Sequence, residues 1–103
     1  MPSYATSDQL ASYIDTTGLT SAQINILLRD AESYITLKLD GSSLDSTAFA
    51  VVAAMKAAAN VANRDPWRVK MGQFESDYGG RVDDWNKTIE TALIYAKATS
   101  TRG

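Results

Sequence analysis

The stretch AFAVVAAMKAAANVA at residues 48–62 holds eight alanines among larger apolar side chains. Alanine has the highest helix propensity, and its small side chain lets a neighbouring backbone approach closely. We therefore expect the central and most buried helix of the fold here. Lys56 and Asn60, one helical turn apart, interrupt this apolar surface, and they mark either the edge of the helix or a subunit contact.

Two capping boxes predict where the two preceding helices begin. Thr6 and Thr20 each stand three residues before a glutamine, which is the signature of a helix N-terminus. The first helix is short, about residues 7–15, because residues 15–18 form a turn sequence. The second helix ends at Asp40-Gly41. Its apolar face consists of Ile24, Leu27, Leu28, Ala31, Tyr34 and Ile35, and the residues largely off that face are Arg29, Asp30, Glu32 and Ser33.

The pattern changes after Pro66, which ends the alanine-rich helix because proline cannot continue the hydrogen-bond ladder. From Trp67 to Tyr78 apolar side chains alternate with period two around Gly72, which predicts a β-hairpin or an extended loop. A fourth helix follows from about Asp83 to Ala98. Its apolar face consists of Val82, Trp85, Ile89, Ala92, Leu93 and Ala96.

These elements predict a mainly α fold, a four-helix bundle with a β-hairpin or extended loop between the last two helices. Residues 1–98 form a single α-helical domain, which fits a chain of 103 residues. Residues 99–103 form a flexible C-terminal tail, since they have too few apolar side chains to fold. The predicted core consists of Leu27, Leu28, Ile35, Val52, Met55, Ile89 and Leu93.

The composition excludes several kinds of chemistry. The chain has no cysteine and no histidine, which excludes thiol nucleophiles, Ser-His-Asp triads and ordinary zinc sites. Asp83 and Asp84, with Glu75 and Asp77 before them, resemble a divalent-metal site, but adjacent carboxylates on a helix point in different directions and favour a capping role. We expect no catalytic residues, no cofactor, no metal and no enzymatic activity.

Ten Lys and Arg against twelve Asp and Glu give a net charge of −2, so the chain has no long-range attraction to nucleic acid or to an anionic membrane. No apolar run approaches the roughly 18–20 residues of a membrane span, and we expect no membrane partner.

Aromatic and basic side chains alternate in the predicted hairpin. A small bundle cannot readily bury them together with its four helix faces, and exposed aromatic clusters usually mark interaction sites. We therefore expect this segment to contact a neighbouring subunit or to line a lumen. The predicted interface residues are Trp67, Arg68, Lys70, Met71, Phe74 and Tyr78.

Two segments, SYATSDQLASYID at 3–15 and ANRDPWRVKMGQFESDYGG at 62–80, resemble the head–tail connector family of tailed bacteriophages, together with the four-helix layout. Members of this family are small α-helical adaptor, or head-completion, proteins. The matching positions are Tyr4-Ala5-Thr6, Leu10, Tyr13 and Ile14 in the first segment, and Asn63, Asp65-Pro66, Gly72, Phe74, Ser76, Tyr78 and Gly79 in the second.

The resemblance implies a structural role without catalysis. Similar adaptors form a ring, usually of twelve subunits, beneath the portal; the ring extends the DNA channel and docks the stopper or tail. The implied partners are other copies of the chain, the portal protein, a stopper or tail-completion protein, and genomic DNA that passes without sequence-specific binding. The implied location is the virion neck, after synthesis in the host cytoplasm. A net charge of −2 is compatible with a lumen through which DNA slides.

Similar connectors dock onto the portal with their C-terminal segment. The resemblance therefore implies that Tyr95, Lys97 and Arg102 are portal-docking residues.

The alternative hypothesis is a small helical nucleic-acid-binding protein, a packaging or regulatory factor. A DNA reader places several Arg, Lys, Asn or Gln side chains on one exposed recognition helix. The second helix offers only Arg29 and Lys38 beside its acidic residues, and the third only Lys56 and Asn60. The structural role is therefore favoured.

Overall fold

A computed structural model describes residues 5–42, 44–69 and 78–100 of the chain. Four α-helices lie within these ranges: α1 at Ser7–Ala11, α2 at Ser21–Leu39, α3 at Ser46–Arg64 and α4 at Tyr78–Ser100. A 3-10 turn at Pro66–Arg68 follows α3. The described residues include no strand, and the one isolated β-bridge among them pairs Ile14 with Val69 in antiparallel fashion. The chain is mainly α with four helices, as the sequence predicts.

Both predicted capping boxes are confirmed. The hydroxyl of Thr6 accepts a hydrogen bond from the backbone N–H of Gln9 at 3.2 Å, and the Gln9 side chain accepts one from the Thr6 N–H at 2.9 Å. Thr20 and Gln23 make the same pair of bonds at 3.1 and 2.8 Å. Each box satisfies two backbone groups that the first turn of a helix leaves without an intrahelical partner.

Helix α1 ends at Ala11, earlier than the expected end near residue 15. The chain turns away so that Ile14 can pair with Val69, and the Ile14 side chain is fully buried. The burial of a large aliphatic side chain contributes about 1.5–3 kcal/mol, more than a further turn of exposed helix would.

Helix α3 is the central helix that the sequence predicts, because it contacts α1, α2, α4 and the 3-10 turn. It begins after Asp45, whose carboxylate accepts a hydrogen bond from the Thr47 N–H at 3.1 Å, and it ends just before Asp65 and Pro66. Its small side chains let the neighbouring helices approach closely. The buried residues of α3 are Ala50, Val52, Ala53, Ala54, Ala57, Ala58, Ala59, Val61 and Ala62.

The core consists of two clusters that define the helix directions. One cluster combines Leu28 of α2 and Trp85 near the start of α4 with residues from the C-terminal half of α3. The other combines Leu39 and Leu93, near the ends of α2 and α4, with Val52 from the first half of α3. Helices α2 and α4 therefore run in the same direction and antiparallel to α3. We call the two ends of the bundle the α1 end and the Leu39 end.

The predicted core is confirmed at five positions, and those buried residues are Leu28, Ile35, Val52, Ile89 and Leu93. Leu27 and Met55, which the sequence also places in the core, are only half-buried. Met55 packs at the border between the two clusters. Leu27 packs against the first cluster and also lines a surface pocket. The predicted apolar face of α4 is confirmed, with Trp85 and Ala96 buried as well.

The predicted hairpin falls mostly on residues 70–77, outside the described residues. At its start, Trp67 and Arg68 belong to the 3-10 turn and not to an extended strand. Proline fixes its own φ at a value that a tight turn accepts, which favours a turn directly after Pro66. Val69, the last described residue before this gap, forms an antiparallel bridge with Ile14, which follows α1, and not a pairing within the predicted hairpin.

Helix α4 is longer than expected. It begins at Tyr78, ahead of the predicted start at Asp83, and it continues to Ser100. The first two residues of the predicted tail at 99–103 are therefore helical, and the remaining three lie outside the described residues. Ala96, Lys97 and Ala98 are strong helix formers, which explains why the helix continues past its last buried residue.

Candidate interaction surfaces

Arg68, one of the predicted interface residues, is buried within its own chain at 8% exposure. Its Nη1 donates hydrogen bonds to the backbone oxygens of Asp15 at 2.9 Å and Thr17 at 2.7 Å. Its Nε donates to the carboxylate of Asp65 at 3.2 Å, and its own backbone oxygen accepts from the Asp15 N–H at 2.6 Å. Arg68 therefore joins the loop after α1 to the turn after α3, and its guanidinium is not on the free surface.

Trp67, its neighbour in the 3-10 turn, has the opposite environment. The indole is 68% exposed, and the guanidinium carbon of Arg68 lies 4.3 Å from the ring centroid. A guanidinium at this distance over an indole face makes a favourable cation–π contact. Because Arg68 is itself fixed by hydrogen bonds, Trp67 is an exposed aromatic side chain on a rigid support.

The other predicted interface residues add no described contact. Lys70, Met71 and Phe74 lie outside the described residues. Tyr78 is the first residue of α4, and only its backbone is described.

A pocket of about 140 Å³ lies between the first half of α2 and the end of α3 at the α1 end of the bundle. Sequence analysis did not identify it. The sequence feature that could have indicated the pocket is Ile26, an aliphatic residue off the predicted apolar face of α2. Ile26 is 61% exposed in the structure. The lining is mainly aliphatic with one cation. The lining residues are Leu19, Gln23, Ile26, Leu27 and Arg64.

Glu32 is buried at 6% exposure, although its place in the helical pattern predicts a solvent-facing position. Its Oε2 accepts a hydrogen bond from the backbone N–H of Ala5 at 2.8 Å, and its Oε1 lies 2.8 Å from Nε of Arg29. Arg29 also donates from Nη2 to the backbone oxygen of Ala5 at 2.7 Å. This group fixes the segment before α1 against α2. The i, i+3 spacing of Arg29 and Glu32 was the signal that sequence analysis could have used.

Two lysines from different helices converge on Tyr34. The Nζ of Lys56 lies 4.2 Å from the centroid of the Tyr34 ring, and the Nζ of Lys38 lies 5.5 Å from it. Within the described part of the chain neither ammonium lies within ion-pair distance of a carboxylate. Lys56, which the sequence marks as a helix edge or a subunit contact, therefore belongs to a small cationic group on the surface between α2 and α3.

The Leu39 end carries exposed apolar side chains on two helices: Leu37 of α2 is 80% exposed, and Ile94 and Tyr95 of α4 are 68% and 69% exposed. Of the predicted portal-docking residues, Tyr95 and Lys97 are both exposed on the last turns of α4. They are two residues apart, so they lie on different faces of the helix. The third, Arg102, lies outside the described residues.

An aromatic group closes the α1 end. The rings of Tyr13 and Trp85 meet edge to face with their centroids 5.6 Å apart, and the Arg81 guanidinium lies 5.5 Å from the Trp85 ring. Burial raises the pKa of the Tyr13 hydroxyl above its usual 10.0, and the positive charge of Arg81 offsets part of that rise. A buried phenol favours its neutral form because a phenolate loses hydration there.

Among the described residues, no three or more Asp and Glu side chains are grouped so that they could hold a metal ion. Asp83 and Asp84 are exposed on α4, and Glu75 and Asp77 lie outside the described ranges. No helix in the described part is long and apolar enough to cross a membrane.

The chain matches no protein-family model, no curated protein and no solved structure.

Proposed function

We propose that the protein is a structural head-to-tail adaptor of a tailed bacteriophage. In this proposal it forms a ring beneath the portal, extends the DNA channel and docks the stopper or tail. The ring contains several copies of the chain, usually twelve in similar adaptors, and it has no catalytic role.

The observation that carries the proposal is the placement of the exposed apolar side chains. Single exposed apolar residues are ordinary in a monomer. In this small bundle they occur at both ends, with Trp67 and Ile26 at the α1 end and Leu37, Ile94 and Tyr95 at the Leu39 end. A subunit of a ring beneath a portal needs contacts with two neighbours and with proteins above and below, and two separate apolar ends supply surfaces for them.

The charge of the chain supports the same function. A net charge of −2 gives the chain no overall electrostatic attraction to the phosphates of passing DNA. A strongly basic lumen would bind the phosphates and slow the genome. Two of the arginines are used within the fold, because Arg68 is buried on backbone oxygens and Arg29 pairs with Glu32.

The experiment is a null mutation in the phage that encodes the chain, with electron microscopy of the lysate. We expect DNA-filled heads and free tails that do not join, with joining restored by the wild-type protein supplied in trans. Normal yields of complete, infectious particles from the null phage would exclude the proposed function.

One observation favours the second candidate, a nucleic-acid-binding factor. Lys38 and Lys56 place two ammonium groups beside the Tyr34 ring, and basic residues beside an aromatic ring can bind a nucleic-acid strand. The rest of the exposed surface of α2 offers no recognition face, since Asp30 and Leu37 lie beside this group. Micromolar binding of duplex or single-stranded DNA by the isolated chain at physiological salt, lost in Lys38→Gln/Lys56→Gln, would favour this candidate over the adaptor.

A further inference from the structure

The pocket at the α1 end has the size and chemistry of a receptor for one aromatic side chain. Its volume is about 140 Å³, and its walls are the aliphatic side chains of Leu19, Ile26 and Leu27. An apolar cavity of about 150 Å³ holds a benzene-sized ring, so this pocket has room for the six-membered ring of an indole and leaves the rest of the indole outside. Arg64 lines the same pocket, and no carboxylate of the described residues lies within ion-pair distance of it. A guanidinium beside an apolar pocket suits the face of an aromatic ring more than an aliphatic chain.

The chain carries a matching side chain that does not occupy its own pocket. Trp67 is 68% exposed and is not among the residues that line the pocket. Its support is rigid, because Arg68 lies 4.3 Å from the ring and donates to the backbone oxygens of Asp15 and Thr17. A side chain that is already ordered loses little conformational entropy when it docks. Tryptophan is also among the residues most enriched at the energetic centres of interfaces.

We propose that the pocket of one copy, formed by Leu19, Gln23, Ile26, Leu27 and Arg64, receives Trp67 of a second copy of this chain. The docked indole then has the Arg68 guanidinium of its own chain on one face and Arg64 of the receiving chain within reach of the other. The apolar walls cover part of the ring that is exposed in the single copy.

This contact would give every subunit of the proposed ring the same direction around the ring. The inference therefore rests on the proposed adaptor function. Trp67 is not part of the pocket lining, so each copy can give its indole to one neighbour and receive an indole from another. Heterologous contacts of this kind close into a ring when the rotation between copies divides a full turn. A chain with one surface removed can still make one contact, and assembly then stops at a pair.

The test uses three full-length variants and measures their size by sedimentation velocity over a concentration series. Trp67→Ala removes the indole, and Ile26→Glu places a carboxylate in the pocket. Both positions are more than half exposed, so both variants are expected to fold, and far-UV circular dichroism checks this. Asn86→Glu is the matched control, since it adds the same carboxylate at an exposed position of α4 that belongs to neither the pocket nor an apolar end.

We expect wild type and Asn86→Glu to associate alike, and each of the other two to associate roughly tenfold or more weakly. An equimolar mixture of Trp67→Ala and Ile26→Glu should form heterodimers and nothing larger, because one intact pocket meets one intact indole. The chain has two tryptophans, of which Trp85 is 3% exposed, so acrylamide quenching of fluorescence reports mainly on Trp67 and should fall as wild type associates.

Association of Trp67→Ala equal to wild type would overturn this docking and leave the ring proposal standing. A mixture that stays monomeric while wild type assembles would overturn it as well. A wild-type chain that remains monomeric at all concentrations also overturns the docking, and imaging of the neck then decides separately whether a ring exists.

Discussion

Replacing Arg68 with alanine tests whether this residue belongs to the fold or to a subunit interface. The substitution removes two hydrogen bonds from a charged donor to the backbone oxygens of Asp15 and Thr17. It also removes an ion pair with Asp65, whose side chain is 34% exposed. Hydrogen bonds of this kind contribute about 1.5–3 kcal/mol each, and a half-exposed ion pair adds at most about 1 kcal/mol.

The expected loss is smaller than the sum of these contributions. Thr17 is exposed and Asp15 is half-buried, so water reaches their backbone oxygens once the guanidinium is gone. We expect the free energy of unfolding to fall by about 2–3 kcal/mol, which corresponds to a decrease in Tm of roughly 8–20 °C for a domain of this size. Arg68→Lys should lie between wild type and alanine, because one ammonium cannot reproduce the fork of a guanidinium.

The assay is urea unfolding followed by far-UV circular dichroism, at a concentration where the chain is monomeric. The matched control is Arg64→Ala, which removes the same charge from an exposed position one turn earlier and should change stability by no more than about 0.5 kcal/mol. Equal unfolding midpoints for Arg68→Ala and wild type would refute the structural role. Arg68 would then again be a candidate subunit-interface residue.

Three further predictions concern the core, the N-terminal segment and pH. Leu28→Ala should cost about 2–5 kcal/mol because Leu28 is 1% exposed, and the neighbouring Leu27→Ala, at a half-buried position, should cost clearly less; equal losses in urea unfolding would contradict the observed core. Glu32→Ala should cost about 2 kcal/mol because it leaves the buried N–H of Ala5 without its acceptor, whereas Glu32→Gln keeps an acceptor oxygen and should cost about half as much; the reverse order would count against this role. The free energy of unfolding should fall as pH rises above 10.0, because the folded state keeps the Tyr13 proton that the unfolded state releases; Tyr13→Phe should flatten this fall, and parallel pH profiles would contradict the raised pKa.

The parts of the fold that sequence analysis predicted are those governed by local chemistry. The capping boxes at Thr6 and Thr20 depend on two side chains three residues apart, and both formed as expected. The left-handed residues that end α2, Asp40 at φ 50° and Gly41 at φ 87°, also follow from local preference. The alanine-rich stretch became the central helix because small side chains permit contact on several sides.

The parts that sequence analysis missed depend on contacts between distant segments. Arg68 looked like a surface cation, but backbone oxygens more than 50 residues away in sequence bind its guanidinium. Glu32 looked solvent-facing, but the segment before α1 covers it and supplies the Ala5 N–H. Helical periodicity cannot show either contact, because both partners lie outside the helix that carries the pattern.

The pocket was missed for a related reason. Ile26 lies off the core-facing stripe of α2, and only the approach of Arg64 from the end of α3 forms a concave surface around it. Trp67 was predicted as an interface residue from its aromatic character, and its exposure is compatible with that prediction. Its rigid support by Arg68 required the tertiary structure.

Under the proposed function the chain is encoded by a tailed bacteriophage, and the most direct test is a cryo-electron-microscopy reconstruction of the neck in the purified virions of that phage. We expect a closed ring of this chain between the portal and the stopper or tail, with the four-helix bundles side by side around the DNA channel. A neck in which other proteins fill the space between portal and tail, with this chain absent from the virion, would contradict it.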